Sequence, residues 1–158
     1  MRLYHASETP MEPGYHLVAS RPSNYYPTAT KVMDTARPPG RPPRRTSIYC
    51  ADSAEFALYF RTCQGGARAS SLHIYEVEVK AFHKAPFALT HVICERIRAG
   101  QNPSSLITEY WNPNSNWHFY EYLTDRLKIV REIDHSDLNQ IVLSHRATDD
   151  HERASRYI

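Results

Sequence analysis

Eight of the eleven prolines fall between Pro10 and Pro43. Proline locks its own φ, carries no N–H and pushes the preceding residue away from the helical region, so this stretch cannot supply a long helix or a central strand. It is expected to form a long, functional loop from Met11 to Arg45, with one or two helical turns at Pro27–Met33. Its last part, Arg37-Pro38-Pro39-Gly40-Arg41-Pro42-Pro43-Arg44-Arg45, reads as a basic, extended segment suited to phosphates or a polyanionic target.

Short elements surround that loop. Residues 2–6 are partly aromatic and end at Ser7-Glu8-Thr9-Pro10, the pattern of a first strand running out into a turn. Ser47-Ile48-Tyr49-Cys50-Ala51 is a β-type run, and Asp52 with Glu55 three positions on predicts a helix over Ser53–Cys63 that stops at Gly65-Gly66. Residues 71–80 predict a strand, and Leu89, Val92, Ile93 and Ile97 ahead of Gly100 predict an amphipathic helix. A loop or short helix is expected around Ser104–Trp111. Trp117–Leu123 and Leu127–Ile133, joined at Thr124-Asp125-Arg126, predict a hairpin. A helix carrying Leu138, Ile141 and Val142 follows. One domain over residues 1–146 and a polar, disordered tail over 147–158 are the expected organisation.

Composition narrows the classes. The 158 residues are 41% hydrophobic and 23% charged, ordinary for a globular chain with one core. A net charge of +2 does not demand nucleic acid as a partner. No run approaches the ~18 apolar residues that span a bilayer, and the start lacks a secretory h-region, so no membrane and a cytosolic location are expected. Cys50, Cys63 and Cys94 are odd in number and unpaired in spacing, hence read as reduced packing residues. Nine histidines invite a metal, yet there is no His-Glu-x-x-His, and His91 with Cys94 is a lone pair on one helix; no metal is expected. Neither Gly-x-Gly-x-x-Gly nor a P-loop is present.

The ordered blocks Leu3-Tyr4-His5-Ala6-Ser7, Ser47-Ile48-Tyr49-Cys50-Ala51-Asp52, Ala57-Leu58-Tyr59 and Glu121-Tyr122-Leu123 carry the chemistry. Together they resemble the His-Tyr-Glu branch of the ADP-ribosyltransferases, the branch of poly(ADP-ribose) polymerases and diphtheria-type toxins, over roughly Arg2 to Ile133. The resemblance implies an α+β fold, a split β-sandwich of two small antiparallel sheets with peripheral helices and an NAD⁺ cleft. It implies His5 on a ribose hydroxyl, helped by Ser7, and the backbone of Ala6 on the carboxamide. Tyr49 and Tyr59 are implied to sandwich nicotinamide, whose flat cationic ring aromatic faces attract. Glu121 is implied to be catalytic, because loss of nicotinamide leaves an oxocarbenium-like ribose that a fixed carboxylate stabilises. Arg21, Tyr25, Tyr26 and the Arg41–Arg45 cluster are candidates for the pyrophosphate or adenine.

Glu109 and Glu132 compete for the carboxylate role, and context favours Glu121. The chain departs from the family at Phe56, where polymerases carry a serine, and at Phe119, which removes the Glu-x-Glu of arginine-modifying toxins. The expected activity is mono-ADP-ribosyl transfer to a protein or nucleic-acid acceptor, in a toxin or effector delivered into a target cell and neutralised by a partner protein. An NAD⁺ glycohydrolase, an RNA 2′-phosphotransferase and a silent nucleotide-binding or partner-binding module are the alternatives.

Overall fold

Residues 1–20, 25–64, 66–138 and 141–157 are described by the computed structural model; Arg21, a candidate dinucleotide contact, lies outside them. Among the described residues seven strands form two antiparallel sheets. β1 (Arg2–Ser7), β2 (His16–Val18), β4 (His73–Glu78) and β7 (Arg126–Ile133) make the first, in the order β1-β4-β7-β2. β3 (Ile48–Cys50), β5 (His83–Pro86) and β6 (Tyr120–Thr124) make the second, in the order β3-β6-β5. The architecture is therefore α+β with two small antiparallel sheets.

Side-chain alternation explains how the sheets meet. Leu3, Tyr75, Val77, Leu127 and Ile129 point from the first sheet onto Ile48, Cys50 and Tyr122 of the second, so one core lies between them. Ile74, next to Tyr75, faces the other way and packs with Phe56, Leu72 and Phe119. The outer face of the second sheet carries Leu123 against α1 (Pro27–Thr35), α3 (Leu89–Arg98) and α4 (Ser104–Trp111), through Met33, Leu89, Ile93, Leu106 and Trp111. Pro27 opens α1, where its missing N–H costs no intrahelical bond.

Several expectations change. The predicted hairpin does not form, since β6 and β7 lie in different sheets. Only Asp125 separates them, too short a link for a two-residue hairpin loop, and the chain turns a corner instead. Its carbonyl accepts the Ala19 N–H at 2.9 Å, and Thr124 Oγ1 donates to the Ala81 carbonyl at 2.7 Å. The helix after β3 is capped by Ser53, not Asp52: the Phe56 N–H donates to Ser53 Oγ at 3.1 Å. That helix, α2, spans Ala54–Tyr59 and continues as a π-type turn over Phe60–Gln64.

The polar tail expected from residue 147 is instead the second half of α5 (Ile141–Ser155). Ala154 is fully buried there, and the Asp150 carboxylate accepts the backbone N–H groups of His118 at 3.0 Å and Phe119 at 3.0 Å. β2 and β5, both short sheet edges, were not anticipated. β2 sits inside the proline-dense stretch, which an edge position tolerates. Among the described residues no helix is long and apolar enough to cross a membrane.

Candidate functional site

The sheets part beside β1 and β3. Among the described residues one isolated bridge joins them, with Tyr4 and Ala51 exchanging N–H···O=C bonds of 2.8 Å in both directions. Beyond it they diverge around a cleft of about 830 Å³ lined by His5, Ala6, Tyr25, Tyr49, Phe60 and Arg61, among others. Backbone polar groups alternate sides along a strand, so those of Ala6 point to the same open edge as those of Tyr4, away from β4. Ala6 therefore presents its backbone at the mouth of this opening.

His5 is set by the same geometry. Its Nδ1–H donates to the Tyr49 carbonyl at 2.8 Å, and because a carbonyl only accepts, Nδ1 carries the proton and Nε2 keeps its lone pair. Burial pushes the imidazole below its usual pKa; the bond to Tyr49 works against that and the nearby Arg61 charge adds to it. The side chain is thus a neutral acceptor on the cleft wall.

Tyr49 stacks on Phe60, with centroids 6.1 Å apart and planes 22° from parallel. Tyr59, expected as its partner, turns away onto Phe56 at 6.1 Å and lines a separate, smaller cavity. The π-type turn beginning at Phe60 brings the next aromatic round instead. Tyr25 lines the cleft and meets Tyr49 edge-on at 5.8 Å. Ser7 is spent locally, its Oγ accepting the Thr9 N–H at 3.1 Å.

Glu121 does not line the cleft. On β6 it shares a face with Leu123, which pairs with Tyr49, so it stands on the same face of the second sheet as Tyr49, with its side chain 1% exposed. There Arg44, with no exposed surface, donates from Nη1 to Glu121 Oε2 at 3.1 Å and also to the Tyr110 hydroxyl. Arg44 Nε donates to Thr30 Oγ1 at 3.2 Å, and its guanidinium sits over the rings of Tyr110, Tyr49 and Tyr25 at 5.1, 5.4 and 5.6 Å. The Tyr49 hydroxyl donates back to the Arg44 carbonyl at 2.9 Å. Burial raises the Glu121 carboxyl above the usual range, with Arg44 opposing, and burial raises the Tyr25, Tyr49 and Tyr110 phenols, which stay neutral. Glu121 Oε1 and Arg44 Nη2 are buried and make no hydrogen bond of normal geometry, while the Tyr110 and Thr90 hydroxyls lie close enough to the carboxyl to oppose its rise.

The basic loop is not an extended phosphate arm. Arg44 is a core cation, and Asp34 accepts the Arg44 and Arg45 N–H groups at 2.8 and 3.1 Å, folding the segment onto α1. Arg41 Nη2 donates to Asn112 at 3.4 Å. Among the described residues the cation that reaches the cleft is Arg61, missed in the sequence, which donates to the Ala6 carbonyl at 3.4 Å and pairs with Glu8 at 3.0 Å. Its only sequence signal was its place at the end of the helix that carries Tyr59.

The rival carboxylates have other duties. Glu109 is buried and accepts from Trp117 Nε1, the Asn114 and Ser115 N–H groups and the Tyr157 hydroxyl, at 3.0–3.1 Å. Burial would raise its carboxyl, but these donors together hold it below the usual range. Glu132 is exposed and meets His73 at 3.3 Å. No protein-family model matches the chain, and comparison with curated proteins finds no match.

Proposed function

We propose that this chain is a mono-ADP-ribosyltransferase that breaks the nicotinamide–ribose bond of NAD⁺ and passes ADP-ribose to a macromolecular acceptor. The observation that carries this reading is the cleft where the sheets part, with a tautomer-locked His5 acceptor, the Ala6 backbone and the Tyr49 ring side by side on its wall. A volume of about 830 Å³ lies within the range of ligand sites, roughly 300–1,000 Å³. His5 Nε2 accepts a ribose hydroxyl, the Ala6 backbone holds the carboxamide, and Tyr49 gives a face to nicotinamide. Phe60 takes the place expected of Tyr59, and Arg61 meets the pyrophosphate.

Glu121 supplies the negative charge for the oxocarbenium-like ribose. Its Oε1, which makes no hydrogen bond of normal geometry, is the oxygen that a ribose hydroxyl would satisfy once Tyr25 and Arg44 give way. Residence in the cytosol, or delivery into a target cell, and a neutralising partner protein belong to the same proposal.

A second reading, a module that binds a nucleotide without cleaving it, is favoured by one observation. Glu121 is buried and ion-paired with Arg44. The two separate on incubation with NAD⁺. Free nicotinamide together with a mass gain on an acceptor is the expected result; nicotinamide without transfer means hydrolysis, binding without release means the second reading, and no binding at all ends both. Glu121→Gln should lower nicotinamide release roughly 10²–10³-fold. Because that change also leaves Arg44 unpaired, at about 3–5 kcal/mol of stability, the fold is checked by circular dichroism and His5→Ala provides an independent loss.

A further inference from the structure

His91 and Glu95 stand one turn apart on the exposed side of α3, and α5 crosses there to bring in His151, remote in sequence. Glu95 Oε1 lies 2.8 Å from His91 Nε2 and 3.0 Å from His151 Nε2. We propose that His91, Glu95 and His151 bind a divalent first-row transition metal of the zinc class, which clamps α5 onto α3.

Donor chemistry and spacing support this. Two imidazoles and one carboxylate are borderline ligands that suit zinc, cobalt or nickel, not calcium or magnesium. All three donor atoms already lie within 4.8 Å of one another. Tetrahedral zinc with bonds of about 2.0–2.1 Å needs donors roughly 3.3 Å apart, so the contacts to Glu95 need to open by only a few tenths of an ångström. The imidazole rings, 5.2 Å apart and tilted by 47°, converge on Glu95 from two helices, so rigid elements hold the ligands.

An outer partner is also in place. His91 Nδ1 lies 2.7 Å from the Tyr26 hydroxyl. When Nε2 ligates an ion, Nδ1 carries the proton and donates it to the phenol oxygen, which fixes the ring as ligating histidines require. The other convergent group, His118 with Asp149 and Asp150, has a single nitrogen donor. Both Asp150 oxygens there already accept backbone N–H groups, so it is the weaker site. Three protein ligands leave the fourth position of the proposed site to water. Tyr26 also lines the large cleft, so the metal would steady that wall through one hydrogen bond.

Chelator-treated full-length protein is titrated with zinc by calorimetry and with cobalt by visible absorption. One equivalent is expected, with a rise in Tm and the absorption bands of four-coordinate cobalt. His91→Ala and His151→Ala should each abolish that equivalent, Tyr26→Phe should weaken it about tenfold, and His118→Ala should leave it intact. Both ligating histidines are substantially exposed, so the alanine variants remain folded, as circular dichroism would verify. No binding at millimolar zinc, or an equivalent that survives in both histidine variants, overturns the site. Neither result depends on NAD⁺.

Discussion

Two imidazoles are held neutral by burial. His5 bonds the Tyr49 carbonyl, and His83 donates from Nε2 to the Tyr110 carbonyl at 3.2 Å while stacking on Trp111. Burial depresses both below the usual value of 6.5, with those bonds opposing it. As pH falls, the unfolded chain takes up these protons near 6.5 and the folded chain only later. Their stabilisation is therefore complete above the unfolded value and is lost as pH drops through the folded ones. Between about pH 7 and pH 5 the Tm should fall, and His5→Gln should flatten part of that slope. A slope identical in wild type and variant would show that His5 does not titrate differently in the folded state. At the same residue scale, His5, Tyr49 and Glu121 were picked out by the order and spacing of short blocks that are each weak alone; His5 and Tyr49 meet on the cleft wall and Glu121 does not line it. The burial of Arg44 was not legible: a proline–arginine run looks solvated, and only the packing of α1 and α4 reveals the tyrosine cage around its charge.

At the scale of elements, α5 is tied to the segment ahead of β6 by the buried Asp150 carboxylate, with Asp149 on His118 at 2.8 Å beside it. Asp150 receives backbone N–H groups from His118 and Phe119 just before β6 begins, so it sets where that strand, and Glu121 upon it, starts. Asparagine keeps one acceptor oxygen and turns an amide toward the remaining N–H. Asp150→Asn should therefore cost about 1–3 kcal/mol, lowering the urea midpoint with an unchanged slope. An unchanged midpoint would mean that α5 does not anchor the strand. Helix α3 was legible because its apolar positions recur at helical spacing, whereas Ser104–Trp111, left open between a loop and a short helix, forms α4. β2 and β5 were not legible, since β2 lies within the proline-dense stretch and β5, His-Lys-Ala-Pro, carries no β-branched residue and ends in proline. The β6–β7 corner was misread because two adjacent β-type runs look alike whether they pair with each other or with different neighbours.

For the molecule as a whole, the cleft exists because two sheets sharing the bridge at Tyr4 and Ala51 diverge beyond it. A dinucleotide that fills it stabilises the folded chain by mass action, about 2.7 kcal/mol at a hundredfold excess over Kd. For a chain of this size that is a Tm rise of roughly 5–10 °C, reduced in Arg61→Ala if that cation meets the pyrophosphate. A flat Tm against NAD⁺ would remove the dinucleotide from the proposal. By itself the amino-acid order determined the local elements with a clear period and, among the described residues, kept the proline-dense stretch to short elements. Locality explains this, because φ restriction, side-chain period and capping act over a few residues. Which sheet β6 joins, the burial of Glu121 behind Arg44, the exchange of Phe60 for Tyr59 and the meeting of His91 with His151 were decided only in three dimensions. Each depends on contacts between segments far apart in the chain, whose energies no local pattern encodes.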